Sequence, residues 1–189
     1  MAPAVLAAVP LRGRLVTGDA LYCQTALCRQ IRRQDGDYLV IVKANQPELV
    51  WALTTLFTLP PPGERFATAV SWDQHGDRVE TRRLWASTAL AEYLDWPGGQ
   101  QVLRVERTCR QRGKTTRQVR YAITSLGPEI TPTVLRRAAR IWGADPERTW
   151  LASSPSVTSR TQCSRFSIPQ CARTARSICL ALPVKLLMK

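Results

Sequence analysis

Histidine, paired cysteines and long apolar runs are scarce or missing in this chain. It has a single histidine, His75, and its six cysteines (Cys23, Cys28, Cys109, Cys163, Cys171 and Cys179) form no C-x-x-C pair. A structural zinc site draws on closely spaced Cys and His ligands, so this composition argues against one. No apolar run approaches the roughly 18 to 20 residues that cross a bilayer. Nor does any stretch set a basic face against an apolar one, as a helix lying on a lipid surface would, so no membrane partner is expected. Residues 1–10 are apolar but short and carry no lysine or arginine, unlike a secretory signal. The thiols are therefore expected to be reduced and the chain cytoplasmic.

Acidic residues are the other shortage. Against 27 Lys and Arg stand 14 Asp and Glu, a net charge of +13 with a pI near 10.4. Such an excess suggests a polyanionic partner, most simply nucleic acid. The acidic residues are also unevenly placed: none precedes Asp19, and none occurs in residues 151–189. With 44% hydrophobic residues over 189 positions, the chain can build one cored domain with a tail.

The rest of the chain is organised around Arg14-Leu-Val-Thr-Gly-Asp-Ala-Leu-Tyr-Cys-Gln24. Leu15 and Val16 end a short apolar run and Gly18 breaks it. Ala20, Leu21, Gln24, Leu27, Cys28 and Ile31 then recur at roughly helical spacing. This predicts a buried strand that presents Asp19 at its C-terminal edge and turns directly into a helix ending near Gln34. In α/β folds, ligands and metals gather at that edge. The same carboxylate would serve equally as an N-cap. Arg29, Arg32 and Arg33 near the helix C-terminus suit the helix dipole. Tyr38-Leu-Val-Ile-Val42 is a continuous apolar run of the kind covered on both faces, so a βαβ unit is expected. Lys43-Ala-Asn-Gln-Pro47 then opens on the same edge as Asp19, where Lys43 either reaches a phosphate or is simply solvated. Pro47 suits a first helical turn, and Leu49, Val50, Leu53, Leu56 and Phe57 give the next helix an apolar face.

From Phe66 to about Leu126 the pattern becomes β. Strands are predicted at Ala67–Val70 and Glu80–Trp85 around a loop at Asp73–Gly76. Two more, Gln101–Arg107 and Arg117–Ile123, flank a glycine-containing turn at Arg110–Lys114. Within this block His75, Arg78, Glu80, Arg82 and Arg83 cluster. Arginines alternating on a strand either hold phosphates on one face or pair across strands with Glu80 or Asp77. His75 lacks the neighbouring Cys or His partners of a metal ligand. Pro132–Trp142 returns to helix, with Val134, Leu135, Ala138 and Ile141 on one face and Arg136, Arg137 and Arg140 elsewhere. The tail 151–189 holds six basic residues, seven serines and three of the six cysteines, with little periodicity.

Val16-Thr-Gly-Asp-Ala-Leu-Tyr-Cys-Gln24, Gly36-Asp-Tyr-Leu-Val-Ile-Val-Lys-Ala-Asn-Gln-Pro47 and His75-Gly-Asp-Arg-Val-Glu-Thr-Arg-Arg83, in this order, resemble one bacterial family. It is the DDE transposases of insertion sequences, in the subgroup named for the ISAs element. Tyr93-Leu-Asp-Trp-Pro97 and Tyr121-Ala-Ile-Thr-Ser-Leu126 fit as well, and the resemblance runs from about Leu11 to Gly143. It implies an α/β fold, a partial RNase H-like core with a β-rich insertion. The divisions expected are 11–64 (core segment), 65–127 (insertion), 128–150 (returning helix) and 151–189 (atypical basic tail, disordered or frameshift-derived). The implied activity is DNA transposition. Three carboxylates hold two Mg2+ ions, which activate a water or 3′-hydroxyl and stabilise the leaving oxygen of a phosphodiester. The implied partner is DNA at the insertion-sequence ends. Asp19 matches the family's second catalytic carboxylate and would be a metal ligand. Lys43, Arg78, Arg82, Arg83, Arg136 and Arg140 are the expected DNA contacts.

The chain departs from the family at the other two carboxylates. The first would lie on an upstream strand in an Asp-Gly-Lys-Thr-like segment, and no acidic residue precedes Asp19. The expectation is a chain that starts after that strand. The third would be a glutamate in a segment like His-Trp-Gly-x-Glu-Asn. Here Ile141-Trp-Gly-Ala-Asp-Pro146 puts Asp145 in its slot, with Glu147 as the alternative, and Pro146 would disturb a helix interior. A capping or loop role for these two acids is the competing reading. The codons of residues 147–152, read one base forward, allow Asn-Gly-Leu-Gly-Trp, a family-like string, which predicts a frameshift near residue 143. The sequence thus points to a transposase fragment with an incomplete catalytic set. The alternative is a non-catalytic DNA-binding module competing with full-length transposase. A sheet without its first strands would also leave an edge open to self-association.

Overall fold

The computed structural model describes residues 6–7, 9–139 and 178–183; of 134, 137–139 and 178–183 it describes the backbone alone. In chain order the elements are β1 (Arg14–Gly18), a 3-10 turn (Ala20–Tyr22), α1 (Thr25–Arg33), β2 (Asp37–Val42) and α2 (Pro47–Thr58). There follow β3 (Ala67–His75), β4 (Arg78–Ser87), β5 (Gln101–Gln111), β6 (Lys114–Thr124), α3 (Pro132–Ala139) and β7 (Ile178–Pro183). The strands form one seven-stranded sheet in the order β3-β4-β5-β6-β2-β1-β7, and the fold is α/β.

β1 and β2 are parallel, with Gly18 opposite Val40, and α1 connects them. All five residues of Tyr38–Val42 are buried, as a continuous apolar strand in mid-sheet must be. Val16, Tyr38, Val40 and Val42 pack against Leu27, Cys28 and Ile31 of α1 and Leu49, Leu53, Leu56 and Phe57 of α2. Leu15 and Leu39, one residue over and so on the other face, pack with Leu84, Leu103, Ala122 and Leu135 of α3. The sheet therefore lies between helices on both faces. Burial pushes the Cys23 thiol up to about 12 and that of Cys28 to about 11, so both remain protonated and behave as small apolar core groups.

Several elements differ from the sequence expectation. The chain does not pass from Asp19 straight into a helix: a 3-10 turn intervenes and α1 begins only at Thr25. The Ala20 carbonyl accepts both the Cys23 amide, which closes the 3-10 turn, and Asn45 Nδ2, while the Leu21 and Cys23 carbonyls accept the side-chain amides of Gln24 and Gln46. Asp73, Gln74 and His75 belong to β3 rather than to a loop. Gly76, at φ +58°, supplies the positive φ that a two-residue hairpin needs. Likewise Arg112 and Gly113, at φ +50° and +73°, make the whole turn between β5 and β6.

The β block is no separate layer. β6 pairs directly with β2, Ala122 opposite Ile41, because the inner halves of β5 and β6 are apolar and buried while their outer halves are polar and project. Within the expected tail, residues 178–183 form β7, antiparallel to β1 with Ile178 opposite Gly18. The outer edge of β1 is therefore paired.

Candidate functional site

The parallel register builds the site. With Gly18 opposite Val40, β2 runs on past the end of β1. Lys43, the next residue, donates from Nζ to Asp19 Oδ1 at 3.2 Å. A Cβ on Gly18 would meet Tyr22 Cβ at 3.1 Å, so its absence lets the 3-10 turn fold back close to the strand. Asn45 Nδ2 donates to the Ala20 carbonyl at 2.8 Å and Gln46 Nε2 to the Cys23 carbonyl at 2.9 Å. Lys43, Asn45 and Gln46 thus all bind the 19–23 segment, and Pro47 closes the loop as the first residue of α2. Asp19 occupies the N-cap position of the 3-10 turn without a side-chain capping bond, and the N-cap of α1 is Gln24.

Burial acts to raise the Asp19 carboxyl, but the Ala20 backbone amide, the Lys43 ammonium and the charge of Arg120 on β6 hold it below its ordinary value. Its side chain is 42% exposed. An ionised carboxylate beside two cations at a strand edge can serve as one ligand to a divalent ion, and the cations can face a phosphate. The sequence placed Asn45 and Gln46 at this edge without assigning them a role, and Arg120 was missed. Arg120 is placed by the pairing of Tyr121 with Val42, a register that no local pattern reveals.

Among the described residues, no three His, Cys, Asp or Glu side chains come together to hold a metal ion. Asp19 has an ammonium beside it instead of a second carboxylate, so these residues alone do not fit a pair of Mg2+ ions. Asp145, Glu147 and Arg140 lie outside the described residues.

The predicted arginine cluster is assembled around a different carboxylate. Glu80, 5% exposed, accepts from Arg78 Nη2 and from Arg107 Nη2, each at 2.7 Å, and is also paired with Arg82. Arg78 and Arg82, expected DNA contacts, are thus held in ion pairs along β4, while Arg107 reaches Glu80 across from β5. Glu106 takes Arg117 at 2.7 Å and Arg104 at 3.2 Å. Asp77 pairs with Arg112 at 3.7 Å. Arg83 is exposed on the other face of β4, opposite Glu106. His75 lies opposite Arg78 at the hairpin end, and Arg136 is half-buried on α3. Glu80 lies opposite Cys109, which lies opposite Thr116. Thr116 is four residues along β6 from Arg120, or about 14 Å at ~3.4 Å per residue, and Glu80 lies two strands further across. The Asp19 and Glu80 groups are therefore separate.

Over 130 residues the chain is 36% identical to the "Uncharacterized protein in dhlA 3'region" of Xanthobacter autotrophicus, covering 65% of this chain and 43% of that one. Over 98 residues it is 36% identical to the "H repeat-associated putative transposase YbfD" of Escherichia coli K12, covering 50% and 38%. Over 96 residues it is 34% identical to the "H repeat-associated putative transposase YhhI" of the same organism, covering 50% and 25%. The chain spans less than half the length of these curated relatives. No family model matches, and no solved structure matches. An α/β protein similar over half its length to proteins named as transposases is what fold and comparison define together. No helix among the described residues is long and apolar enough to cross a membrane.

Proposed function

We propose that this chain acts in DNA transposition, as a DNA-binding part of a DDE transposase of the ISAs type with an RNase H-like core. Asp19 stands in the place of the second catalytic carboxylate. The observation that carries this reading is the Asp19–Lys43 pair at the C-terminal edge of the parallel strands, built by two of the motifs that resemble the family. The relatives named as transposases and the net charge of +13 support it. A cytoplasmic location goes with the same reading.

Lys43 and Arg120 would meet a phosphodiester, and Asp19 would orient Lys43 while offering one oxygen ligand. Because the described edge offers Asp19 with a lysine on it, DNA binding without cleavage is the activity expected of these residues, as in a non-catalytic module. Fluorescence anisotropy with a labelled duplex at rising salt tests this. Affinity should fall linearly on a log–log salt plot. Lys43→Ala should weaken binding evenly across sequences and reduce the slope by about 1. Asp19→Asn should leave binding as tight or tighter, because it removes the negative charge beside Lys43. Salt-insensitive binding, or a Lys43→Ala protein with an unchanged slope, would refute the assignment.

A further inference from the structure

Among the described residues, β3 is an edge of the sheet. It is nine residues long, contains no proline, lysine or arginine, and pairs with β4 in unbroken register from Ala67 to His75. Edge strands are usually blunted by charges, prolines, bulges or shortness. This one instead presents Trp72 at 73% and Val70 at 41% exposure, both on the same face of the sheet.

We propose that β3 is a homodimer interface, in which two copies pair β3 with β3 antiparallel about a two-fold axis at Ser71. Two identical antiparallel strands are related by a two-fold, so each contact occurs twice. The Ser71-centred register sets Val70 of one copy opposite Trp72 of the other. The remaining pairs are Asp73 with Ala69, Gln74 with Thr68 and His75 with Ala67, so no like charges meet. Centring on Trp72 would set Val70 against Gln74, and centring on Asp73 would bring two carboxylates together. The strand carries no lysine or arginine to meet a polyanion, so a second copy suits it better than nucleic acid. The interface is small, in the range of weak association.

Sedimentation velocity of the full chain, reduced and nuclease-treated, tests this between about 1 and 300 µM, the range of weak dimers. The expected result is a monomer–dimer equilibrium that strengthens with salt, because salt screens the repulsion between two basic chains. Trp72→Lys and Val70→Lys should each weaken dimerisation at least about tenfold. Val119→Lys, on the same face but three strands inward, should leave it unchanged. Circular dichroism melts establish that each variant is folded, and either edge variant suffices if the other is not. A chain monomeric throughout, association that salt weakens, folded edge variants that dimerise normally, or an equal effect of Val119→Lys would each overturn the proposal.

Discussion

Replacing Glu80 with glutamine distinguishes a structural knot of arginines from a surface that merely holds positive charge for a ligand. Burial alone would raise the Glu80 carboxyl, yet hydrogen bonds from Arg107 and Arg78 and the charge of Arg82 bring it from an ordinary 4.5 down to about 2. At ~1.4 kcal/mol per pH unit, a depression of that size corresponds to roughly 3 kcal/mol. The side chain is 7% exposed, so solvent screening removes little of it. Glutamine keeps the shape but leaves three guanidiniums around it without their counter-charge.

The pH dependence is fixed in sign. The folded state holds this carboxyl below its unfolded value, so the stabilisation is complete above about 4.5 and lost as pH falls toward about 2. Urea unfolding should therefore show Glu80→Gln less stable by about 3 kcal/mol at pH 7 with an unchanged m-value. The gap to the parent chain should narrow steadily below pH 4.5. A difference at pH 7 below about 1 kcal/mol, the size of an exposed ion pair, would refute the reasoning. So would a gap that does not change with pH.

Two further outcomes follow from the same geometry. Gly36→Ala would place a Cβ 2.9 Å from Leu11 Cβ and 3.1 Å from the Leu11 carbonyl oxygen, so urea unfolding should show a loss of about 1–3 kcal/mol; an unchanged midpoint would mean the Leu11 segment yields freely. Arg82→Ala should lower the urea midpoint while leaving the salt slope of DNA binding intact, whereas Arg83→Ala, on the exposed face, should reduce that slope by about 1 and spare the midpoint. The reverse pattern would show that Arg82, not Arg83, faces the nucleic acid.

Local units were legible in the sequence and non-local pairings were not. The runs at Leu15–Val16 and Tyr38–Val42 read as buried strands, and Pro47 read as a helix start, because each depends on neighbours in the chain. The alternating block was legible as strands, but its union with the parallel pair rests on Ala122 meeting Ile41, which local periodicity does not encode. The same gap explains Arg107: spacing puts Arg78, Glu80 and Arg82 on one face, but the third guanidinium on Glu80 arrives from another strand. The helix expected directly after Asp19 closes only as a 3-10 turn, and loop 43–46 ties that turn down through Asn45 on the Ala20 carbonyl and Gln46 on the Cys23 carbonyl, contacts that local periodicity does not encode.

That same loop separates two things that motif resemblance merges. Asn45 and Gln46 bond to backbone carbonyls and would hold the 19–23 segment in place whatever the protein did. Asp19 and Lys43 differ in being substantially exposed, at 42% and 56% of their side chains, and in meeting each other. An exposed pair of this kind contributes little to stability, so packing gives no reason for both residues to stand at the end of adjacent parallel strands. Likeness at Asn45, Gln46 and Gly18 is therefore an argument for shared backbone geometry. Any shared chemistry would rest on the Asp19–Lys43 pair, and substitutions there should alter DNA binding while leaving the melting behaviour of the chain almost unchanged.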